Sequence, residues 1–105
     1  MVHQLALYKL HPGVTEEILE EMIRRTRSLL LKVPEVMAVR SGRRIDPGSE
    51  WPFFVGLDFE NRAKQRIFLD DAVHHKFLSD VIRPYTLEKM VLDYELEPGK
   101  NVKYS

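Results

Sequence analysis

Two aspartates and two histidines near position 70 have the types and spacing that could do chemistry. On a helix, the i and i+4 spacing would place Asp70 beside His74 and Asp71 beside His75. Carboxylates and imidazoles ligate metals, and a histidine exchanges protons near neutral pH. Two ligands on one face hold a metal incompletely, so a polar helix end is the simpler interpretation. We therefore predict no metal site, and we keep His74 or His75 as the candidate catalytic residue, with bracing of the helix as the alternative role.

A run of basic residues is the second candidate site. Positions 24–44 contain a single acidic residue, Glu35, and these seven basic ones: Arg24, Arg25, Arg27, Lys32, Arg40, Arg43 and Arg44. The run could bind an anion or a phosphate group, or it could complete the helix dipole and keep the surface solvated. The sequence has neither a phosphate-cradling glycine loop nor a Gly-x-Ser-x-Gly elbow, which favours the second interpretation.

Length and composition exclude several classes of protein. The 105 residues fit one domain, and 16 basic residues balance 16 acidic ones, which disfavours a nucleic-acid-binding surface. The absence of cysteine excludes disulfides, thiolate catalysis, zinc–cysteine sites and iron–sulfur clusters. No signal-peptide pattern is present, and no apolar run approaches the ~20 residues of a membrane span. We expect a cytoplasmic protein with no cofactor, no nucleic-acid partner and no membrane partner.

The elements that would position these residues begin with a strand and a helix. Residues 2–10 alternate like a strand. Thr15 is suited to cap a helix that carries Glu16 and Glu17 in its first turn, at the positive end of the dipole. Apolar residues then recur at three- and four-residue spacing until Pro34 stops the helix.

Three further strands and an interrupted helix complete the predicted order. The strands cover residues 36–41, 53–59 and 89–96. Asn61 caps a helix that the two aspartates interrupt, and a second helical piece runs from about His74 to near Pro84. The order β-α-β-β-α(α)-β predicts an α+β, ferredoxin-like fold with a four-stranded antiparallel sheet.

One face of that sheet would be uncovered in a monomer. Strand alternation predicts that this open face carries His3, Leu5, Leu7, Lys9, Phe54, Asp58, Val91 and Asp93. A half-apolar face is typical of an interaction surface, and a second copy packed face to face would bury it. We therefore predict a homodimer, with His3 and Lys9 near Asp58 or Asp93 because unpaired buried charge is costly.

Several short segments together resemble the stress-responsive A/B barrel domain family. They are Leu5-Ala6-Leu7-Tyr8-Lys9-Leu10, Val14-Thr15-Glu16-Glu17, Val33-Pro34-Glu35-Val36, Phe59-Glu60, the His-x-x-Phe segment from His74 to Phe77, and Asp93-Tyr94. The resemblance covers about residues 2–96, which gives a domain at residues 1–97 and a polar tail at 98–105. It implies a homodimer in which two four-stranded sheets form a shared α+β barrel.

The resemblance also implies a cavity for a small molecule between the sheet and the helices. The candidate binding residues carried over to it are Gln4, Ala6, Tyr8, Met22, Ile23, Thr26, Val39, Phe53, Val55, Leu57, Phe68, Leu69, Phe77, Met90 and Leu92. Alternation puts the apolar strand members on the helix side, including Met90 and Leu92. The alternative is that the same residues form an ordinary close-packed core.

Cyclase-like members of the family use a histidine and a tyrosine for acid–base work on a polyketide. The histidine maps to His74 or to His75, depending on the direction of counting, and a second family histidine maps to Gln4. The tyrosine maps to Phe68 or Leu69, neither of which has a proton to give. We therefore expect no robust polyketide cyclisation, and we expect alanine at both histidines to leave the fold and the dimer intact.

Three functions fit these observations. The first is a homodimeric protein that binds a small apolar or aromatic molecule. The second is a small enzyme on an aromatic or polyketide-like substrate, either cyclase-like or similar to a cofactor-free monooxygenase. The third is a purely structural dimer module. A polar group aimed into a cavity would separate the first two, and an unfilled cavity would separate the first from the third.

Overall fold

A four-stranded antiparallel sheet lies at the centre of the molecule. The computed structural model describes residues 1–97, and the predicted tail at 98–105 lies outside the described residues. The elements in chain order are β1 (Val2–Leu10), α1 (Glu16–Leu30), β2 (Val36–Arg43), β3 (Phe53–Phe59), α2 (Arg62–Leu69), α3 (Ala72–Phe77), a π-helical segment (Leu78–Ile82) and β4 (Thr86–Glu95). The strand order is β2-β3-β1-β4, so the predicted ferredoxin-like α+β fold is confirmed.

Each helix begins where a polar side chain caps it. The Thr15 hydroxyl accepts a backbone N–H at 3.2 Å, and the Asn61 amide oxygen accepts one at 2.9 Å. Asp71 accepts a backbone N–H at 2.7 Å and begins α3, so this aspartate both interrupts the helix and places His74 and His75 on the next one. In the part of the chain that the structure describes, no helix is long and apolar enough to cross a membrane.

The core lies between one face of the sheet and the helices. Strands β1 and β3 alternate as predicted, with every second residue buried. The strands and α1 contribute these buried apolar residues: Val2, Ala6, Tyr8, Phe53, Val55, Leu57, Phe59, Leu19, Met22 and Leu30. Their burial is the main force that holds α1 on the sheet.

The side chains of strand β4 lie on the opposite faces of the sheet from those predicted. Its register pairs Leu92 with Leu5 of the open face, and directly opposed residues lie on the same side of a sheet. Leu92 and Met90 therefore lie on the open face, and the prediction that they face the helices was wrong. Val91 and Asp93 lie on the helix side, so their predicted place on the open face was wrong as well.

The helix layer explains this orientation. Helix α1 packs mainly on β2, and α2 packs on β2 and β3, whereas β4 is an edge strand with little helix above it. The helix side of β4 therefore accepts Lys89 and Asp93, and the apolar residues of β4 extend the open face instead.

Strand β2 is two residues longer than predicted and joins the sheet to α1. It contains a register shift between Val36 and Ala38. Near its end, the Ser41 hydroxyl donates to the Ile23 carbonyl of α1 at 2.9 Å. The Arg43 side chain pairs with two glutamates of α1, so the end of the strand is fastened to the helix.

Candidate functional site

Most of the predicted cavity wall is close-packed core. The following eight of its residues are at most 4% exposed: Ala6, Tyr8, Met22, Phe53, Val55, Leu57, Phe68 and Phe77. Ile23 and Val39 are partly buried at the edge of this core, and Leu69 is exposed. Thr26 is fully buried and satisfies its hydroxyl by donating to the Met22 carbonyl at 2.7 Å. Packing of this kind stabilises the domain and leaves these side chains in contact with one another.

A polar network joins α2 to the sheet. The buried Gln65 donates through its amide nitrogen to Gln4 and to Asp93, with both distances 2.9 Å. Arg62 donates to the amide oxygen of Gln65 at 3.0 Å, so the network is satisfied. Gln4 therefore helps to hold α2 on the sheet. Gln65 was missed by the sequence analysis, although its position three residues before Phe68 places both on one helix face.

His74 lies against Phe68, and this contact distinguishes it from its neighbour. The two ring centroids are 4.3 Å apart, and His74 is half-buried, whereas His75 is exposed. The Nδ1–H of His74 donates to the Leu69 carbonyl at 3.2 Å, because a carbonyl can only accept. The structure thus places Phe68 beside His74, so the aromatic residue facing this histidine carries no hydroxyl.

Tyr8 does not supply the missing hydroxyl in a reactive form. Its ring is 4% exposed and lies 5.7 Å from the ring of Phe53, centroid to centroid. Burial raises the pKa of Tyr8 to about 12. A phenol with that pKa stays protonated at neutral pH, so Tyr8 does not serve as a base, and its burial disfavours contact with a substrate.

The two aspartates near position 70 differ in their surroundings. Asp71 caps α3, and Asp70 is exposed at the C-terminal end of α2. Among residues 1–97, no group of three or more histidine, aspartate or glutamate side chains could hold a metal ion.

Four residues of the basic run form separate ion pairs on the surface. Arg40 pairs with Asp58 at 3.4 Å, and Arg25 lies 3.9 Å from Asp80. Arg24 pairs with a glutamate of α1, as Arg43 does from β2. These contacts favour the interpretation that the run stabilises helix and strand surfaces.

The helix side of β4 is only partly covered by the helix layer. Val91 is 45% exposed, whereas Ala6, its cross-strand partner on the same face, is 3% exposed, so the helix layer ends between them. We call this partly covered surface the β4 groove: Lys89, Val91 and Asp93 lie on the same face of the sheet as Tyr8, Ala6 and Gln4. The amide of Gln65 on α2 contacts Asp93 directly, at 2.9 Å. The sequence analysis missed Lys89, because its assignment of faces in β4 was inverted.

The open face carries a three-residue polar group beside its apolar residues. The Nδ1–H of His3 donates to one carboxylate oxygen of Asp58 at 2.6 Å, and Arg40 donates to the other at 3.4 Å. The structure thus places His3 beside Asp58, as predicted. Lys9 differs from the prediction, because its ammonium lies 3.2 Å from Glu88.

The titration of His74 gives a testable pH dependence. Burial is the main cause that lowers the pKa of His74 below 6.5, so the unfolded chain takes up a proton at this position before the folded chain does. The contribution of His74 to the free energy of unfolding is therefore fully present above pH 6.5. It declines as the pH falls through 6.5 toward the lower pKa of the folded state. We expect His74→Gln to remove this decline in urea denaturation measured from pH 7.5 to pH 5. Superimposable pH profiles of the two proteins would contradict the assignment, and His75→Gln, at an exposed position, is the control.

The fold defines a class of protein: a ferredoxin-like α+β domain with a helix layer on one face of the sheet and an open second face. The family model for the stress responsive A/B barrel domain matches residues 2–96. The chain therefore belongs to that family, and the resemblance noted in the sequence is confirmed.

Solved structures share the fold at low sequence identity. A dimeric ferredoxin-like protein of unknown function from Thermobifida fusca is 22% identical, with a TM-score of 0.79 over 90% of each chain. A hydroxynitrile lyase from Passiflora edulis is 15% identical, with a TM-score of 0.79 over 92% of this chain and 94% of that one. An antibiotic biosynthesis monooxygenase is 17% identical, with a TM-score of 0.64 over 93% of this chain and all of that one. No curated protein matches the chain.

Proposed function

We propose that the protein acts as a homodimer formed through the open face of the sheet. The observation that carries this proposal is a continuous apolar strip across β3, β1 and β4. The register sets Leu7 between Phe54 and Met90, and it pairs Leu5 with Leu92. Met90 is 41% exposed in the isolated chain. Removing such a strip from water yields ~25 cal/mol per Å² of apolar surface.

The charges of the open face support the same proposal. His3 and Arg40 both contact Asp58, and Lys9 contacts Glu88, so each of these charged groups has a partner within its own chain. A second copy can therefore cover the face without burying an unpaired charge, which would be costly. The Thermobifida fusca protein of the same fold is described as dimeric.

Sedimentation equilibrium tests the dimer directly. We expect a mass twice the 12.4 kDa of one chain at micromolar concentration. A mass of one chain that does not change with concentration would contradict the proposal.

We also propose that the dimer binds a small apolar or aromatic molecule in the β4 groove. The exposure of Val91 carries this part: it is an apolar residue, 45% exposed, on the helix side of the sheet. Ligand sites combine apolar surface with a few polar groups that fix orientation, and this groove has that composition. The packing of Phe68 on His74 and the buried Tyr8 favour binding over cyclase-like acid–base catalysis.

Benzyl alcohol is a suitable probe of this groove. We expect it to shift the NMR methyl signals of Val91 and the ring signals of His74 in a saturable way. Val91→Asp should weaken binding ~tenfold, because it replaces an apolar contact worth about 1.5 kcal/mol. Leu31→Asp, at an exposed position at the end of α1, is the matched control and should bind like the unmodified protein. Equal affinity for both variants would contradict a site at Val91.

A further inference from the structure

A cavity of about 460 Å³ lies where the end of β1 meets the start of α1, and the loop between β2 and β3 forms part of its wall. The apolar part of the wall includes Leu10, Val14, Leu19 and Pro52. Leu19 is 7% exposed, and Leu10 and Val14 pack against the core. The volume is that of a small-molecule site. None of the three residues that define the β4 groove lines this cavity, so it is a separate feature of the molecule.

Arg44 lines this cavity and is held in place by its own loop. Its backbone N–H donates to the Pro52 carbonyl at 3.1 Å, and its guanidinium donates to the Ser49 carbonyl at 2.6 Å. Within residues 1–97, no carboxylate oxygen lies within 4.0 Å of this guanidinium. A guanidinium has several N–H donors, so Arg44 retains donors for a ligand.

Glu50 supplies a negative charge beside Arg44. It follows Ser49 directly in the chain, so its backbone lies next to the Arg44 guanidinium, and it lines the same cavity. In the part of the chain that the structure describes, its carboxylate has no lysine, arginine or histidine nitrogen within 4.0 Å. We call Arg44 and Glu50 the loop pair: two opposite charges that belong to one loop without forming an ion pair.

The other lysine, arginine and glutamate side chains of the wall already have partners. The Lys9 ammonium lies 3.2 Å from the Glu88 carboxylate, and Arg43 forms an ion pair with Glu16. The charges that the cavity offers to a ligand are therefore those of the loop pair, one positive and one negative.

We propose that this cavity binds a zwitterionic amino acid with an apolar side chain. Arg44 holds the carboxylate, Glu50 holds the ammonium group, and the apolar side chain lies against Leu19. An α-amino acid carries both charged groups on one carbon atom, which matches two opposite charges presented by one short loop. Hydrogen bonds between charged groups are about twice as strong as neutral ones, so a ligand with both charges gains from both residues.

Three small molecules test this assignment because they share a phenyl ring and differ in charge. L-Phenylalanine is zwitterionic at neutral pH, 3-phenylpropanoate lacks the ammonium group, and 2-phenylethylamine lacks the carboxylate. We expect L-phenylalanine to bind ~tenfold more tightly than either of the others, in NMR titrations that follow the methyl signals of Leu19.

Variants of the loop pair assign each charge to its partner. Glu50→Gln should lower the affinity for L-phenylalanine ~tenfold and should not weaken the binding of 3-phenylpropanoate. Arg44→Gln should weaken L-phenylalanine and 3-phenylpropanoate by the same factor and spare 2-phenylethylamine. Arg66→Gln, at an exposed arginine of α2, is the matched control and should leave all three affinities unchanged.

Three outcomes would overturn the inference. Equal affinities of the unmodified protein for the three probes would mean that the cavity does not recognise charge. Unchanged Leu19 signals with every probe would mean that the cavity binds none of them. Equal weakening of all three probes in Arg44→Gln would show that the arginine shapes the loop and does not hold a carboxylate.

Discussion

We expect Leu7→Glu to convert the dimer to a monomer. Leu7 lies on the central strand β1, between Phe54 and Met90 of the apolar strip. Because the dimer is two-fold symmetric, it contains two such glutamates. Neither has a positively charged partner within its own chain. Burying unpaired carboxylates costs several kcal/mol, so the dimer dissociation constant should rise at least ~100-fold. Sedimentation over a range of concentrations measures this change.

The control for that experiment is Leu31→Glu. Leu31 is 60% exposed at the C-terminal cap of α1 and does not belong to the open face. This variant should remain dimeric, and circular dichroism should show that both variants are folded. An unchanged dissociation constant in Leu7→Glu would show that the open face is not the interface.

The second large effect is expected from Phe68→Ala, which should lower the free energy of unfolding by ~3–5 kcal/mol. Phe68 is fully buried, with its ring centroid 5.1 Å from Phe59 and 4.3 Å from His74. Removing the ring leaves a cavity under α2 and exposes the imidazole to water. The pKa of His74 should therefore move up toward its ordinary value of 6.5. Urea denaturation measures the first effect and NMR titration the second.

Ile67→Ala provides the comparison on the same helix. Ile67 is 50% exposed, so its truncation should change the free energy of unfolding by about 0.5 kcal/mol or less. Equal losses for the two variants would mean that Phe68 does not anchor α2.

The strands β1 and β3 could be predicted from alternation alone, because the helix layer covers them and only one face of each is in contact with the core. Helix α1 could be predicted for a similar reason: its cap and its apolar stripe are both local in sequence. The position of the break between α2 and α3 followed from Asp70 and Asp71. In these segments, neighbouring residues determine the local structure.

The orientation of β4 could not be predicted in this way. Alternation shows that Met90 and Leu92 share a face, but not whether that face meets helices or open sheet. Met90 and Leu92 were predicted on the helix side because the core of a monomer lies there. The open face takes them instead, because the helices contact this edge strand at Asp93 but leave most of its helix side exposed, so apolar residues there would gain little burial. That outcome depends on the tertiary arrangement, and for the dimer proposed here on a second chain.

The candidate site was predictable only in part. The sequence limited the choice to His74 or His75, and it placed Phe68 or Leu69 opposite. The contact between Phe68 and His74 depends on how α3 turns back on α2, which no local pattern specifies. Lys89 was not predicted on the helix side, because the faces of β4 were assigned in the inverted order.

The register shift between Lys9 and Leu10 has an evolutionary consequence. Lys9 pairs with Glu88 and Leu10 with Thr86, so β4 accommodates one additional residue beside this point. The turn that precedes β4 is exposed at Arg83 and Pro84, where the gain or loss of a residue disturbs little packing. A shift of one residue moves every side chain of a strand to the opposite face. The bulge takes up an additional residue locally, so a residue gained or lost at this turn can be absorbed without exchanging the faces of β4, and chains of this fold can differ in length here while keeping the same residues on the helix side.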